Sequence, residues 1–518
     1  MAALALIPGD IVITSLEGDL MHTLSASQRM AEGELPHLDF MTPLGILAFA
    51  PIAMFLSFGV FLGQSIIFSS VMLAIILLPF IWWIGVSRLG KAQAVYFGAL
   101  VLVLLMAVTF GNGSSFTVLA LHYNRWAWAL AFVVLGAVLF PPRFDIGERW
   151  MAPLVIGGGM AALAMLKVTF FAVMAPAILI ILLAQKQVAT ALRSVIFGAL
   201  IGVVLVAYLG VDYFAAYFEN LLSVTLARSG RSAPWESFTT VLTSPKTLSG
   251  TVVLLGAILV FRKSGMMLPG LVMLLLSPVF VYITYQNWGN DPKWMLLVVL
   301  YLWVNLPKAG ETTLLNLPAR QSILALILIG GTSIFPTAIS LLWSPLRAFT
   351  TDRSNYVRIE NPPMAADILV AERLLSNVVM RRAVEGTPNL LPLREPVEIN
   401  GTVFPDCQTT STTLPMAAAM AAELEALGAV RGQPVLAADS LDIIWLFGDI
   451  TRVAGAAPWY YSDDAGLENA AFLLVPLCPL DQDKRREMVR QFQAAKYGLS
   501  EVYRSNLMVL YEVAKPVE

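Results

Sequence analysis

The sequence predicts a polytopic α-helical membrane domain followed by a small soluble α/β domain. Of the 518 residues, 58% are hydrophobic and 13% are charged, whereas an average soluble protein carries about 25% charged residues. The mean hydropathy is +0.74. The 68 charges (33 basic plus 35 acidic) are unevenly spread, because 38 of them (16 basic plus 22 acidic) follow Leu346. The first two thirds of the chain therefore lack the polar surface that a water-soluble globule needs.

The same composition excludes several classes of protein. A soluble enzyme would need more charge, and a disordered chain would be far less hydrophobic. The net charge of −2 and the pI near 6.0 give no cationic surface for a nucleic-acid partner.

Ten apolar runs are candidates to cross a bilayer, which takes about 20 apolar residues per helix. They lie near residues 66–85, 94–110, 126–140, 151–166, 168–184, 194–210, 250–261, 266–284, 294–306 and 321–342. Several are short and are expected to extend into flanking polar residues. The sequence thus predicts about ten membrane-spanning helices.

Basic residues in short loops favour the cytoplasmic side of a membrane and therefore indicate topology. Five basic pairs fall on one side if the ten helices alternate strictly: Arg88 and Lys91, Arg143 and Arg149, Lys186 and Arg193, Arg262 and Lys263, and Lys308 and Arg320. The opposite ends, and everything after about residue 343, are then periplasmic in a bacterial inner membrane.

An eleventh apolar run, 44–63, affects the placement of the N-terminus. Pro43 and Pro51 interrupt it early, and only Gln64 and Ser65 separate it from the next run. We interpret it as an interfacial helix; as a full span it would place residues 1–43 in the cytoplasm. The predicted domains are a periplasmic first loop (1–43), a multi-span membrane domain (44–345) and a periplasmic α/β domain (346–518).

Helix and strand patterns alternate in the soluble domain. Helices are expected over 365–383, 415–427 and 482–495, and strands over 435–438, 471–475 and 507–513. Cys407 and Cys478 both lie in this domain. In the periplasm, a disulfide between them would close a loop of about 70 residues and stabilise the fold by about 4 kcal/mol; the alternative is two separate buried thiols.

The most polar stretch of the first half of the chain is residues 15–43. Acidic residues come first, followed by a short helical pattern that ends at Gly33, then Pro36-His37-Leu38-Asp39-Phe40, and finally Thr42-Pro43 before the interfacial run. This order resembles the first outer loop of the GT-C glycosyltransferases, in particular the branch with protein mannosyltransferases and the lipid A aminoarabinose transferase. The resemblance implies an acidic catalytic base in this loop and a transmembrane helix before residue 9.

A second likeness to that family lies at 163–176, where Lys167 stands between two closely spaced apolar runs. A lysine at membrane depth costs about 2.5–3.5 kcal/mol, which favours a functional partner such as a lipid phosphate, although the side chain could also extend to headgroups. One departure is Asn124, which stands where the family commonly has a second acidic residue. This difference puts a paired-acid mechanism in doubt.

Sugar transfer from a polyprenyl phosphate needs a carboxylate base and cations for the leaving phosphate. Asp19 is the preferred base and Glu17 the second candidate; either could instead be a solvated or capping acid. Lys167, Arg125, Arg228 and Arg231 are the candidates for binding the donor phosphate, and headgroup anchoring is an equal alternative for the last two.

The remaining candidate substrate-binding residues are polar groups of the outer loops: His22, His37, Asp39, His122, Asn124, Asn290 and Asp291. The histidines, with Asp19 or Asp39, could supply ligands for a divalent metal, but no tight ligand spacing is present, so no metal ligand is assigned.

The sequence and the resemblance together predict a membrane glycosyltransferase. It would move a sugar from a polyprenyl-phosphate donor to a lipid, glycan or protein acceptor. Alternatives are a polysaccharide polymerase or ligase, and a non-catalytic transporter or assembly factor. A transporter is less favoured because the predicted spans carry few ionisable groups and no internal duplication is visible.

Overall fold

The computed structural model describes residues 9–109, 111, 116–226, 237–287, 291–308, 317–376, 380–382, 397–409, 413–428, 430–460 and 465–515. Each of the ten predicted apolar runs coincides with a helix. Before them come α1 (Glu17–Ala31) and α2 (Ala50–Ser57). The apolar helices are α3 (Leu62–Arg88), α4 (Lys91–Met106), α5 (His122–Leu139), α6 (Glu148–Leu166), α7 (Val168–Ala184), α8 (Val188–Leu209), α11 (Pro245–Lys263), α12 (Met267–Gln286), α13 (Trp294–Val304) and α14 (Ala319–Thr350), with α9 (Val211–Leu226) and α10 (Phe238–Thr243) after α8.

Six of the described helices are long and apolar enough to cross a membrane: α3, α6, α8, α11, α12 and α14. Helices α4, α7 and α13 are also apolar but shorter, with 10–17 residues. Because their outer faces carry large exposed aliphatic side chains, these helices need a lipid environment, and the chain is a helical membrane protein. That all ten apolar helices cross the bilayer remains a prediction.

The eleventh run does not form a long helix. A 3-10 turn at Ile46–Ala48 leads into α2, which has eight residues, and a helix of that length reaches only about 12 Å. Residues 58–61 are not helical and separate α2 from α3, which begins at Leu62. Helix α2 is thus too short to span, as expected of an interfacial helix, and packs between α1 and α3.

The soluble region contains α15 (Arg373–Ser376), α16 (Thr413–Leu427) and α17 (Gln482–Ala494), with short strands between them. A three-stranded sheet has the order β1-β3-β2, and a four-stranded sheet has the order β10-β11-β9-β8. Their strands are β1 (Ile11–Ile13), β2 (Tyr356–Arg358), β3 (Ile368–Ala371), β8 (Val435–Ala437), β9 (Phe472–Pro476), β10 (Gly498–Arg504) and β11 (Met508–Ala514). Two further pairs join β4 (Met380–Arg382) to β7 (Cys407–Thr409), and β5 (Val397–Ile399) to β6 (Thr402–Phe404).

One predicted helix of this region is wrong. The segment 365–383 contains β3, the single turn α15 and β4. The residues of β3 are buried, and β3 pairs on one side with β1 and on the other with β2. A local helical pattern gives no information about a partner as distant in sequence as β1.

The predicted disulfide between Cys407 and Cys478 is present, with a Cα–Cα distance of 5.0 Å. It joins β7 to the segment after β9, and Thr409 adds a hydrogen bond to the Cys478 carbonyl at 2.9 Å. The bridge therefore ties the small β4–β7 pair to the four-stranded sheet.

The helical bundle has two distinct ends. At the end that we call the basic end, the Arg143 amide donates to the Ser87 carbonyl at 2.7 Å, Arg88 pairs with Glu148, and Arg193 reaches the Arg149 carbonyl. Members of three predicted cytoplasmic pairs are thus neighbours.

At the opposite end, which we call the domain end, the soluble region meets the bundle. The Asp367 carboxylate, at the start of β3, accepts hydrogen bonds from the Gly63 and Gln64 amides at the N-terminus of α3. The Val108 amide, just after α4, donates to the Ser344 hydroxyl near the end of α14. The described predicted site residues, which lie between residues 17 and 39, at 122–125, at 167 and at 291, are also at this end.

Candidate functional site

Both termini of helix α1 are attached to other segments at the domain end. Before it, β1 pairs in parallel with β3, and Thr14 exchanges hydrogen bonds with Thr117 at 3.0 and 3.1 Å. Leu16 adopts a left-handed conformation (φ 63°), which turns the chain from the strand into the helix. The first turn of α1 is therefore held against the segment that leads into α5.

The last turns of α1 are attached to the soluble region by Arg29. This side chain is 1% exposed and donates to the carbonyls of Val453 and Ala456 at 2.9 and 2.8 Å. It also pairs with Glu34 at 2.8 Å. Sequence reasoning missed this role, because nothing near residue 29 indicates acceptors more than 400 residues away.

Asp19 lies in the first turn of α1 and is half-buried. Its neighbour Gly18 packs against Leu441 and Thr413 of the soluble region. Burial, with a smaller contribution from the Glu17 charge, raises the pKa of Asp19 to about 7. A carboxyl group with this pKa is suited to take a proton near neutral pH.

Glu17 is the less suitable of the two predicted carboxylates. It is only 7% exposed, and burial raises its pKa while the Arg373 charge opposes the rise. Arg373 also donates to the Thr14 carbonyl, three residues before Glu17. Asp19 is the more accessible acid.

Two of the three histidines, His22 of α1 and His122 of α5, lie near each other. His22 packs between the rings of Phe49 and Trp459, with centroid distances of 5.8 and 5.9 Å, and burial lowers its pKa to about 4. His122, at the start of α5, directs Nε2 to the Ala48 carbonyl at 2.8 Å. Since a carbonyl only accepts, this nitrogen carries a proton and His122 donates to Ala48.

His37 and Asp39 lie apart from these residues. Nδ1 of His37 is 3.3 Å from the Asn220 side chain, and its ring packs on Tyr217 with centroids 4.4 Å apart. The Asp39 carboxylate accepts from the Leu35 amide at 2.6 Å, which closes a local turn. Both residues shape the first loop and its contact with α9.

These positions do not fit a divalent metal. Among the described residues, no group of three His, Cys, Asp or Glu side chains could hold a metal ion. Nε2 of His122 is occupied by a carbonyl, and His22 is enclosed by aromatic rings. The sequence left open a metal site built from the histidines, because all three were predicted on the same side of the membrane. The described geometry of these residues does not fit such a site.

Lys167 stands at the break between α6 and α7, at the domain end. Its ammonium group donates to the side-chain oxygens of Asn124 and Asn287, and it lies 5.3 Å from the centroid of the Tyr123 ring. The two amides fix the ammonium without neutralising it. A cation held by neutral groups at a helix break can take an anionic ligand.

The short segment 45–49 connects the Asp19 and Lys167 regions. Gly45 packs so closely on the backbone of Met165 that an added Cβ would be 2.0 Å from the Met165 carbonyl oxygen. Along the same segment, Ala48 accepts from His122 and Phe49 contacts His22. Asn124 follows His122 on the first turn of α5, so one continuous set of contacts leads from α1 to Lys167.

An apolar groove reaches this region from the bundle. It has a volume of about 560 Å³ and is formed by α6, α7, α8 and Phe214 of α9. Ser194 is the one polar side chain among the described residues that line it. The groove runs from Leu182 and Ala191, towards the basic end, to Met165, two residues before Lys167. Its shape and chemistry suit a long hydrocarbon chain.

Arg125 lies in a different environment from Lys167. Its guanidinium is 1% exposed and donates to the Thr109 carbonyl. Lys293 is 0% exposed and lies within electrostatic range of Arg125, Lys246 and Asp291. The Asp291 carboxylate is held by Lys246 at 2.7 Å and by the Thr337 hydroxyl, so it is not available as a free sugar ligand.

The structure thus groups the predicted residues unevenly. Asp19 and Glu17 share the first turn of α1, and His22, one turn later, lies near His122. Asn124 and Lys167 form a second group and Arg125 and Asp291 a third. Arg228, Arg231 and Asn290 lie outside the described residues. Asn287, Lys246 and Lys293 were not predicted; each stands near a helix terminus at the domain end, where a polar residue is usually an interfacial anchor.

Searches against protein-family models, curated proteins and solved structures find no match to this chain.

Proposed function

We propose that the chain is a membrane glycosyltransferase that uses a polyprenyl-phosphate-linked sugar. The observation that carries the proposal is the presence of two features at one end of the bundle. One is a half-buried carboxyl on α1 with a pKa near 7; the other is an ammonium group held by two neutral amides, two residues after Met165, which lines an apolar groove. A lipid-linked sugar phosphate needs a base for its acceptor, a cation for its phosphate and a groove for its tail.

Each group then has one task. The tail occupies the groove along α6, α7 and α8, and the phosphate binds Lys167, which stabilises the charge that develops as the bond from phosphate oxygen to sugar breaks. Asp19 removes the proton from the acceptor hydroxyl or amine as that group attacks the sugar carbon. His22 and Trp459 pack edge to face one turn after Glu17. The acceptor is a lipid, a glycan or a protein.

The domain end faces the periplasm in this proposal. A disulfide in the soluble region suits an oxidising compartment, and the basic residues at the other end suit the cytoplasm. We expect a cysteine placed at the exposed position 500 (Ser500→Cys) to react with a membrane-impermeant thiol reagent in intact cells. Labelling only after lysis would contradict this orientation.

Replacing Lys167 by methionine is expected to raise KM for the prenyl-phosphate sugar by about 10–100-fold, because a hydrogen bond to a charged group contributes about 1.5–3 kcal/mol. The effect should appear in steady-state transfer measured in lipid nanodiscs. Lys186→Met is the matched control: Lys186 is exposed at the basic end, and its loss should leave KM unchanged. An unchanged KM in folded Lys167→Met protein would show that the donor phosphate does not bind at Lys167.

A further inference from the structure

A second groove, separate from the one along α6, α7 and α8, lies between helices α3 and α4. We call it the α3–α4 groove. Its volume is about 640 Å³, which is within the range of about 300–1,000 Å³ found for ligand sites in proteins. The residues that line it belong to α3, to α4, to the turn between them and to the pair Arg143-Phe144. All of them are in the described part of the chain.

Small residues bring the two helices together along this groove. A Cβ at Gly85 would lie 3.2 Å from the Cβ of Ala94, and a Cβ at Gly98 would lie 3.5 Å from a methyl group of Ile81. All four residues line the groove. Trp82 also lines it and is 63% exposed, so the groove is open to lipid on its outer side.

The length of the groove matches one leaflet of a bilayer. Along α4 it extends from Lys91 to Leu102, which is about 16 Å at a rise of about 1.5 Å per residue. The hydrocarbon core of a bilayer is about 30 Å thick, so the groove covers about half of it, starting at the basic end. The acyl chain of a phospholipid has the same extent.

Two cations stand where the groove reaches the basic end. Lys91 and Arg143 both line it, and Nη1 of Arg143 lies 3.6 Å from the position of a Cβ on Gly90, the residue before Lys91. The Arg143 amide donates to the Ser87 carbonyl at 2.7 Å. This bond holds Arg143 beside the turn from α3 to α4, so both cations share the mouth of the groove.

The described acids that follow Arg143 interact with other groups. Glu148 pairs with Arg88, and Asp145 accepts a hydrogen bond from the Glu148 amide at 3.1 Å. Within the described structure, neither acid pairs with Lys91 or Arg143. The two cations can therefore receive an anion from the bilayer.

The start of α4 adds donors at the same place. Gly90 precedes the helix and provides no side-chain cap, so the first-turn amides, from Lys91 to Gln93, have no acceptor within the helix. These amides and the helix dipole favour negative charge. An ammonium, a guanidinium and a helix N-terminus together suit the oxygens of a phosphodiester.

We infer that the α3–α4 groove binds an anionic phospholipid. One acyl chain occupies the groove, and the headgroup phosphate lies against Lys91, Arg143 and the first turn of α4. The charges select an anionic lipid, because a zwitterionic headgroup carries a cation of its own beside the phosphate. This inference concerns a different site from the proposed donor groove and does not depend on sugar transfer.

A third groove, between α4, α13 and α14, provides a comparison within the same molecule. Its volume is about 460 Å³, and the described residues that line it include no charged side chain. A lipid chain in that groove would be held by apolar contacts alone. No preference for an anionic headgroup is therefore expected there.

The test is native mass spectrometry of the full chain in detergent, titrated with dioleoyl phosphatidylglycerol or with dioleoyl phosphatidylcholine. We expect one phosphatidylglycerol per chain to bind about ten times more tightly than phosphatidylcholine, or better, because each cation near an anionic lipid contributes about a factor of five. Equal affinities for the two lipids would overturn the inference.

Charge variants locate the headgroup. Lys91→Gln and Arg143→Gln should each weaken phosphatidylglycerol binding about fivefold and leave phosphatidylcholine binding unchanged. Both side chains are exposed, so their loss leaves the core intact. Lys186→Gln is the matched control, since Lys186 is an exposed cation at the same end that does not line the groove. An equal loss in all three variants would show general surface attraction and contradict the inference.

Glycine variants test the groove itself at constant charge. Gly98→Leu places a side chain in the α3–α4 groove and should remove the tightly bound phosphatidylglycerol. Gly331→Leu fills the groove between α4, α13 and α14 in the same way and should leave that lipid bound. Thermal unfolding verifies that each variant is folded. A folded Gly98→Leu chain with wild-type affinity for phosphatidylglycerol would show that the lipid does not occupy this groove.

Discussion

Replacing Asp19 by asparagine is expected to reduce the rate of sugar transfer by about 10²–10⁴-fold, which is the usual contribution of a positioned acid or base. The amide has nearly the shape of the carboxyl group but cannot accept the acceptor's proton. Binding of the prenyl phosphate should not change, because Lys167 and the groove are separate from α1. The measurement is transfer from a prenyl-phosphate sugar in nanodiscs, with donor binding measured by titration.

The pH dependence of the wild-type enzyme tests the same role. Since burial raises the pKa of Asp19 to about 7, the carboxylate form increases through neutral pH, and kcat/KM should rise with pH to a plateau above about 8. The sign for stability is opposite. The folded chain holds this proton more tightly than the unfolded chain, so Asp19 stabilises the fold at low pH, and this contribution is lost as the pH rises through 7.

Asp212→Asn is the control for Asp19, because Asp212 is an exposed carboxylate at the start of α9, at the same end of the bundle. Its loss should leave both the rate and the pH profile unchanged. If the Asp19→Asn enzyme kept its full rate, or kept a rise in activity near pH 7, another group would be the base.

Replacing Arg29 by methionine is expected to destabilise the attachment of α1 to the soluble region by about 3–5 kcal/mol, the range found when one member of a buried charge pair is removed. The carbonyls of Val453 and Ala456 would lose a buried donor, and Glu34 would keep only its ion pair with Arg452. Asp442 would also lose a nearby compensating charge: it is 2% exposed, and burial raises its pKa to about 7 against the opposing effect of Arg29. Thermal unfolding and protease sensitivity of the soluble region measure the effect.

The comparison for Arg29 is Arg431→Gln. Arg431 forms an exposed pair with Asp449 at 3.6 Å, and exposed pairs contribute little to stability. We expect an unchanged unfolding midpoint for that variant. If Arg29→Met unfolded at the wild-type temperature, α1 would not depend on the soluble region for its position.

Much of the membrane fold could be predicted from the sequence because the signal is local. An apolar run that faces lipid must satisfy its backbone hydrogen bonds internally and therefore becomes a helix, as for each of the ten runs from 66–85 to 321–342. The disulfide was also predictable, since the chain has two cysteines and both lie in one region. The β1–β3 pairing was not, because Ile11 and Ile368 are neighbours only in the folded chain.

The site was predictable only in part, for related reasons. Asp19 and Lys167 stood out as charges beside apolar segments. Their surroundings depend on tertiary packing. His22 packs against aromatic rings and His122 donates to a carbonyl. Asn287 is a neighbour of Lys167 only in the folded chain. Arg29 and Lys293 look like ordinary interfacial residues in the sequence, and their importance becomes visible only through their burial.

The most direct test of the central claim is a cryo-EM structure of the full chain in a nanodisc with a non-hydrolysable prenyl-phosphonate sugar. The account predicts the phosphonate within hydrogen-bond distance of the Lys167 ammonium, the prenyl chain in the groove of α6, α7 and α8, and the sugar facing Asp19. A phosphonate bound away from Lys167, with the sugar remote from the first turn of α1, would contradict it.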